Sequence, residues 1–215
     1  MLTLSVLPLS ASQIDSQTGL PLETVWPAWT AAPIDHYLWP ENDYRPRAWA
    51  RLGYDDQALY LRLAVEEDEP RITYYNHQDP VYLDSCLEFF VEPHPEESTL
   101  FFNFEFNAAG ALLSAYGLNR DERTSLTPAE LDSLIIQAGR RSEPRPVWQI
   151  TCRIPRSLLE SHSGPLDWRP GLAMGANFYK CGDQTPQPHY GCWNLITSAE
   201  ADFHRPQDFG RIILA

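Results

Sequence analysis

Leu83 to Asn107, LDSCLEFFVEPHPEESTLFFNFEFN, holds two alternations of apolar and polar residues separated by a Pro/Glu turn. In the first, Leu83, Ser85, Leu87, Phe89 and Val91 point one way and Asp84, Cys86, Glu88, Phe90 and Glu92 the other. In the second, Leu100, Phe102, Phe104 and Phe106 share a face opposite Phe101, Asn103, Glu105 and Asn107. Period-two alternation is the signature of a strand with one face on a core. The pair reads as an antiparallel hairpin whose second face carries carboxylates and amides beside aromatic rings.

Outward from this hairpin the chain keeps the same rhythm. Leu59, Leu61, Leu63 and Val65 alternate with Ala58, Tyr60, Arg62 and Ala64 after the tight turn Tyr54-Asp55-Asp56-Gln57. Trp148, Ile150, Cys152 and Ile154 alternate likewise and are closed by Pro155. Leu2, Leu4 and Val6 make a first inward-facing strand. Ala111 to Tyr116, Leu172 to Lys180 and Phe209 to Leu214 are further strands, and Leu134-Ile135-Ile136 leads into a Pro/Arg loop from Arg140 to Pro146. Helix is scarce. Thr127-Pro128-Ala129-Glu130 has capping-box spacing with Pro at the first helical position, and Ser157 to Ser161 suits one helical turn. About ten short strands predict an all-β fold, a β-sandwich of jelly-roll type with one or two short helices. Residues 1–215 are expected to form one domain, in which 1–47 supply an opening strand and a Pro/Trp-rich loop.

With 29 acidic against 16 basic residues, the net charge of −13 repels phosphate backbones and anionic headgroups. Nucleic acid and membrane surfaces are therefore excluded as expected partners. The N-terminus lacks a basic n-region and is interrupted by Pro8, which leads to an expected cytoplasmic location. Cys86, Cys152, Cys181 and Cys192 are too few for a disulfide framework, so reduced, structural thiols are expected. Cys181 and Cys192 could flank a hairpin closely enough to bond under oxidising conditions.

Acceptors and amides beside aromatic rings suit a polyhydroxylated ligand. Pyranose C–H faces pack on rings, and hydroxyls bond to Glu88 and Glu105 as acceptors and to Asn103 and Asn177 as groups that both donate and accept. Three segments, Val81–Phe90, Asn103–Asn107 and Ala176–Asp183 with His189–Trp193, resemble the family 9 carbohydrate-binding modules, as do Asp202–Pro206 and Phe209-Gly210. The resemblance implies a β-sandwich that grips a mono- or oligosaccharide, often at a chain end, between two aromatic rings. Tyr82, six positions before Glu88, takes the place of the first ring, and Trp193 that of the second. Tyr179, Lys180 and His189 are further candidates near the same end. Non-catalytic sugar recognition linked to carbohydrate catabolism follows, with no cofactor.

Three other readings stand beside it. Glu88 and Glu105 could be a glycoside hydrolase pair, because cross-strand carboxyl groups reach the separation of about 5 Å that a retaining enzyme needs. The aromatic patch could dock another protein. A metal could be held by Cys181, His189 and Cys192, with His204 further on, although their spacing matches no common zinc pattern. The resemblance also allows structural calcium, for which Asp55, Asp56 and Asp79 are the loop carboxylates.

Overall fold

The computed structural model describes residues 1–40, 42–142 and 144–215; position 143 of the expected Pro/Arg loop lies outside them. In chain order the strands are β1 (Thr3–Pro8), β2 (Ala32–Ile34), β3 (His36–Leu38), β4 (Ala48–Tyr54) and β5 (Ala58–Glu66). The hairpin follows as β6 (Cys86–Glu92) and β7 (Phe101–Asn107), then β8 (Leu112–Gly117), β9 (Arg123–Ser125), β10 (Ile135–Arg141) and β11 (Val147–Pro155). β12 (Ala173–Cys181), β13 (Tyr190–Cys192) and β14 (Gly210–Leu214) complete the set. The helices are α1 (Pro128–Asp132) and α2 (Arg156–Ser163).

These strands join into one curled sheet in the order β10-β11-β5-β4-β1-β14-β12-β6-β7-β8-β9, with β13 beside β12, β3 beside β13 and β2 beside β4. Its halves fold over as the two leaves of a sandwich. β1 belongs to both, since Thr3–Val6 run parallel to β14 while Leu7 and Pro8 run parallel to the end of β4. Between the leaves, Leu59, Leu61, Leu63 and Val65 from β5 and Trp148, Ile150 and Ile154 from β11 pack with Leu87, Phe89 and Val91 from β6 and Phe102, Phe104 and Phe106 from β7. The inward sets of the alternating stretches are therefore the core, as their period requires.

Details differ from the sequence expectations for local reasons. Leu4 and Val6 are buried but Leu2 is 42% exposed, because it precedes the paired part of β1. β6 begins at Cys86 and not Leu83, since Val81–Leu83 form a 3-10 turn. That turn is fixed by the buried Asp84 carboxylate, which accepts from the amides of Thr73 and Tyr74 and from Asn107 Nδ2. The Leu134–Ile136 run continues as β10 to Arg141, where a loop was expected, because it pairs along its whole length with β11. α2 is also longer than one turn, running eight residues with Leu158 and Leu159 buried. α1 starts as its capping box dictates: Glu130 N donates to Thr127 Oγ1 and Thr127 N to Glu130 Oε2. Gly110 turns β7 into β8 at φ +86°, a conformation that suits glycine, while Asn107 Oδ1 accepts from Ala109 N and Ala111 N.

Candidate functional site

The outward faces of β6, β7 and β12 form one patch. Glu88 stands opposite Glu105 on one side and Tyr179 on the other, while Cys86 stands opposite Asn107 and Cys181. Every residue of β6 and β7 is buried, so this second face is covered rather than solvated. Phe203, Phe209 and Ile196 from the segment after β13 lie over Phe90, Phe101 and Tyr179 in a second apolar cluster. Where the cover parts, a cavity of about 190 Å³ opens over Glu88, Glu105 and Cys181. Trp39, Tyr82, Tyr190 and Phe203 line it as aromatic walls, and Arg120, Arg123, Asp183 and Asp202 bring charge to it.

A chain of bonds holds the floor. Arg123 Nη1 donates to Asn103 Oδ1 at 3.2 Å and approaches His204 Nε2 at 2.7 Å; Asn103 Nδ2 donates to Glu105 Oε1 at 3.0 Å. His204 is held neutral, its pKa pushed down to about 3 by burial and by Arg123, so its Nε2 accepts. Cys181 Sγ donates to Glu88 Oε1 at 2.9 Å. Burial, and after it the neighbouring Glu105, pushes Glu88 well above the carboxylate range. Burial also lifts Glu105 to about 7, against the opposing pull of Arg123. Two carboxyl groups pressed toward their neutral forms can each donate and accept a hydrogen bond, the pairing a sugar hydroxyl requires.

Tyr82, Glu88 and Glu105 thus line one cavity, and Asn103 orients Glu105 from beside it. Tyr179 is fully buried; its ring stacks on Phe203 at 4.1 Å and its hydroxyl donates to Phe203 O, so it supports a wall. Four other candidates lie elsewhere. Trp193 is 3% exposed, packs on Phe178 in the main core and closes over Gly210, which leaves no ring face for a ligand. Asn177 spends its amide on the chain: its Nδ2 donates to Asn194 O and its Oδ1 accepts from Phe178 N and Asn194 N. Lys180 is fully buried, with Nζ 3.6 Å from Glu67 and donating to Cys181 O. His189 packs edge-on against Tyr44, and burial together with Lys180 holds its pKa down at about 3.

Trp39 is the wall residue that periodicity missed. It follows the three-residue β3, which pairs with β13 about 150 residues later in sequence. Its φ of +50°, uncommon for a bulky residue, is held by Nε1 donating to Ser198 O and by contacts with Tyr190 and Phe203. Gly191 makes the β3–β13 approach possible, since a Cβ there would lie 2.8 Å from the Tyr37 ring. The Trp39-Pro40 step is the sequence-local trace of this wall.

The alternative set of Cys181, His189 and Cys192 does not assemble. Cys181 is opposite Tyr190 and Cys192 opposite Tyr179, with Cys192 Sγ on His36 O, so Cys181, His189 and Cys192 form no ligand cluster among the described residues. All four cysteines are free. Asp55 accepts from Gln57 N, Ala58 N and Tyr60 Oη, and Asp79 from Asn76. Asp55, Asp56 and Asp79 form no three-carboxylate group among the described residues.

The profile of Carbohydrate-binding family 9 matches residues 26–214. The chain belongs to this family. Among solved structures, this family 9 chain is similar to a Bacteroides uniformis protein named as a candidate carbohydrate-binding protein, at 27% identity and TM-score 0.81 with 99% of each chain covered. It also shares its fold with a family 9 module from Caldicellulosiruptor kristjanssonii in complex with glucose, at 17% identity and TM-score 0.64 over 100% of this chain and 96% of that one. The same organism's family 9 module with cellotriose matches at 17% identity and TM-score 0.61 over 99% and 93%. No curated relative matches the chain. No helix among the described residues is long and apolar enough to cross a membrane.

Proposed function

We propose that this family 9 module binds a carbohydrate without transforming it, and that the cavity over Glu88 and Glu105 receives a single terminal sugar ring. The observation that carries the reading is the meeting of two buried, mutually facing carboxyl groups with the aromatic walls of Trp39 and Tyr82 in one small cavity. Tyr82, 38% exposed, and the half-buried Trp39 offer ring faces to C–H surfaces. Glu88 and Glu105 serve hydroxyls below, with Glu105 oriented by Asn103. Trp39 takes the part that the family resemblance gave to Trp193. A ring of few atoms limits affinity to about the micromolar-to-millimolar range. The fold relatives, one crystallised with glucose and one with cellotriose, make neutral hexoses the first ligands to try.

Titration with monosaccharides, reducing oligosaccharides and uronic acids, followed by tryptophan fluorescence, tests this directly. Saturable quenching in the native chain is expected. Tyr82→Ala and Trp39→Ala are each expected to weaken binding about tenfold, the loss of one stacking partner and its burial. Affinity that survives both substitutions would move the ligand elsewhere. Glycoside hydrolysis is the second reading, favoured only by the proximity of the two carboxyls. A retaining pair needs one ionised nucleophile beside its acid, whereas burial presses both of these toward the neutral state. Released sugar in the same mixtures would promote the pair to catalysis.

A further inference from the structure

Cys86, Glu88 and Cys181 bring their ligand atoms within 4.8 Å of one another at the floor of the cavity. Their placement follows from the sheet. Cys86 and Glu88 are two residues apart on β6 and so share its outward face, while Cys181 of β12 is the register partner of Cys86. All three are at most 3% exposed, on paired strands rather than loops, which is how a ligand set is held in place. We propose that these three residues form a site for a thiophilic divalent cation, Zn²⁺ by chemistry, built from two thiolates and one carboxylate. This reading uses Glu88 but does not depend on the chain binding sugar.

Ligand chemistry selects the ion. Sulfur donors disfavour Ca²⁺ and Mg²⁺, which take oxygen, and favour Zn²⁺ and its heavier congener Cd²⁺. Zn–S lengths of about 2.3 Å and Zn–O lengths of about 2.0–2.2 Å place two sulfurs and one oxygen of a tetrahedron about 3.5–3.8 Å apart, so this trio needs only small side-chain adjustments to close on an ion. Cys181 Sγ and Glu88 Oε1 are already in contact at 2.9 Å and would separate as the shared proton leaves. Binding releases three protons to solvent, one from each thiol and the one that burial keeps on the Glu88 carboxyl, and two thiolates with one carboxylate outweigh the dication by one negative charge. Because Glu88 and Cys181 line the cavity while Cys86 lies behind them, the fourth coordination position faces the cavity and is open to water or a ligand oxygen. Glu105, opposite Glu88, stands beside that position with Asn103 bonded to it.

The test is a titration of the reduced full chain, free of sugar, with Cd²⁺ while following the ultraviolet thiolate-to-metal charge-transfer band, and with Zn²⁺ in competition. Saturation at about one ion per chain is expected, displaced by Zn²⁺. Cys86→Ser and Cys181→Ser should each remove the band, and Cys152→Ala, at a buried thiol outside the cluster, should keep it. Should the serine variants fail to fold, Glu88→Gln is expected to weaken the ion at least about 100-fold, more than loss of an outer partner does. No band in the native chain overturns the proposal, as does a band that persists in both serine variants. A native chain two hydrogens lighter, with Cys86 and Cys181 joined as a disulfide under the reducing conditions of the titration, overturns it too. Because no sugar is present, failure here leaves the carbohydrate reading standing, and failed sugar binding leaves this site standing.

Discussion

Glu105 faces Glu88 across the β6–β7 register, each at most 4% exposed, and burial lifts its pKa from 4.5 to about 7. Between those values the folded chain holds a proton that the unfolded chain has lost. The stability tied to that proton is full below about pH 4.5, falls as pH rises toward 7, and stays lost above it. Glu105→Gln keeps an acceptor for Asn103 and removes the charge. It should be more stable than the native chain at pH 8 by up to about 3 kcal/mol, with the gap closing by pH 4.5. Urea unfolding at the two pH values measures this, and an equal gap at both would deny that the carboxylate is the cause. The tryptophans separate by the same logic of surroundings. Trp193→Ala empties a core position and should cost about 3–5 kcal/mol of stability, read as a lower urea midpoint. The family resemblance placed Trp193 as the second stacking ring. It could not see that Trp193 N bonds Phe178 O beside the short β13, which turns the ring inward. Glu88, Asn103 and Glu105 were legible because alternation assigns faces. Trp39 was not, because its position depends on β3 meeting a strand some 150 residues later in sequence.

Elements show the same division between local and distant causes. The β6–β7 hairpin, the Gly110 turn and the α1 capping box are written in contiguous residues, and each forms from them, with β6 starting only at Cys86. The three-residue strands β2, β3, β9 and β13 are too short for any period to register, so they exist through their partners alone. What alternation also leaves open is the fate of a strand's second face. Here the segment after β13 covers it, and Asp208 ties that cover down: its carboxylate accepts from Arg205 Nε at 2.7 Å, Thr197 Oγ1 at 2.9 Å and Thr197 N at 3.2 Å. Charge-assisted bonds of this kind contribute about 1.5–3 kcal/mol. Phe203, the cavity wall, lies between the two tied points. Asp208→Ala should therefore loosen the wall, weakening sugar affinity roughly tenfold for a loss of about 1.5–3 kcal/mol in global stability. Calorimetric titration beside urea unfolding reads the two together. Full affinity in this variant would mean that the cavity does not need its cover.

At the scale of the molecule, β1 is, among the described residues, the strand that ties the leaves into a continuous sheet. Its first residues extend β14 and its last extend β4, while Leu4 and Val6 enter the core between the leaves. Two further contacts reinforce the same seam: Ala215 N donates to Val6 O, and Tyr54 Oη donates to Ala215 O at 2.7 Å. Removing Met1 to Pro8 would bare the facing edges of β14 and β4 and expose the apolar surface that Leu4 and Val6 cover, worth about 1.5–3 kcal/mol for each side chain. Unpaired edges of this kind also invite pairing between chains. A whole domain is stable by only about 5–15 kcal/mol, so the loss takes a large share of it. The chain shortened by these eight residues is expected to lose its cooperative unfolding transition or to self-associate, as seen by urea titration and light scattering. A monomeric, cooperatively folded product with native sugar affinity would show that the leaves hold through their side chains alone, and that the sheet's continuity is incidental to the site.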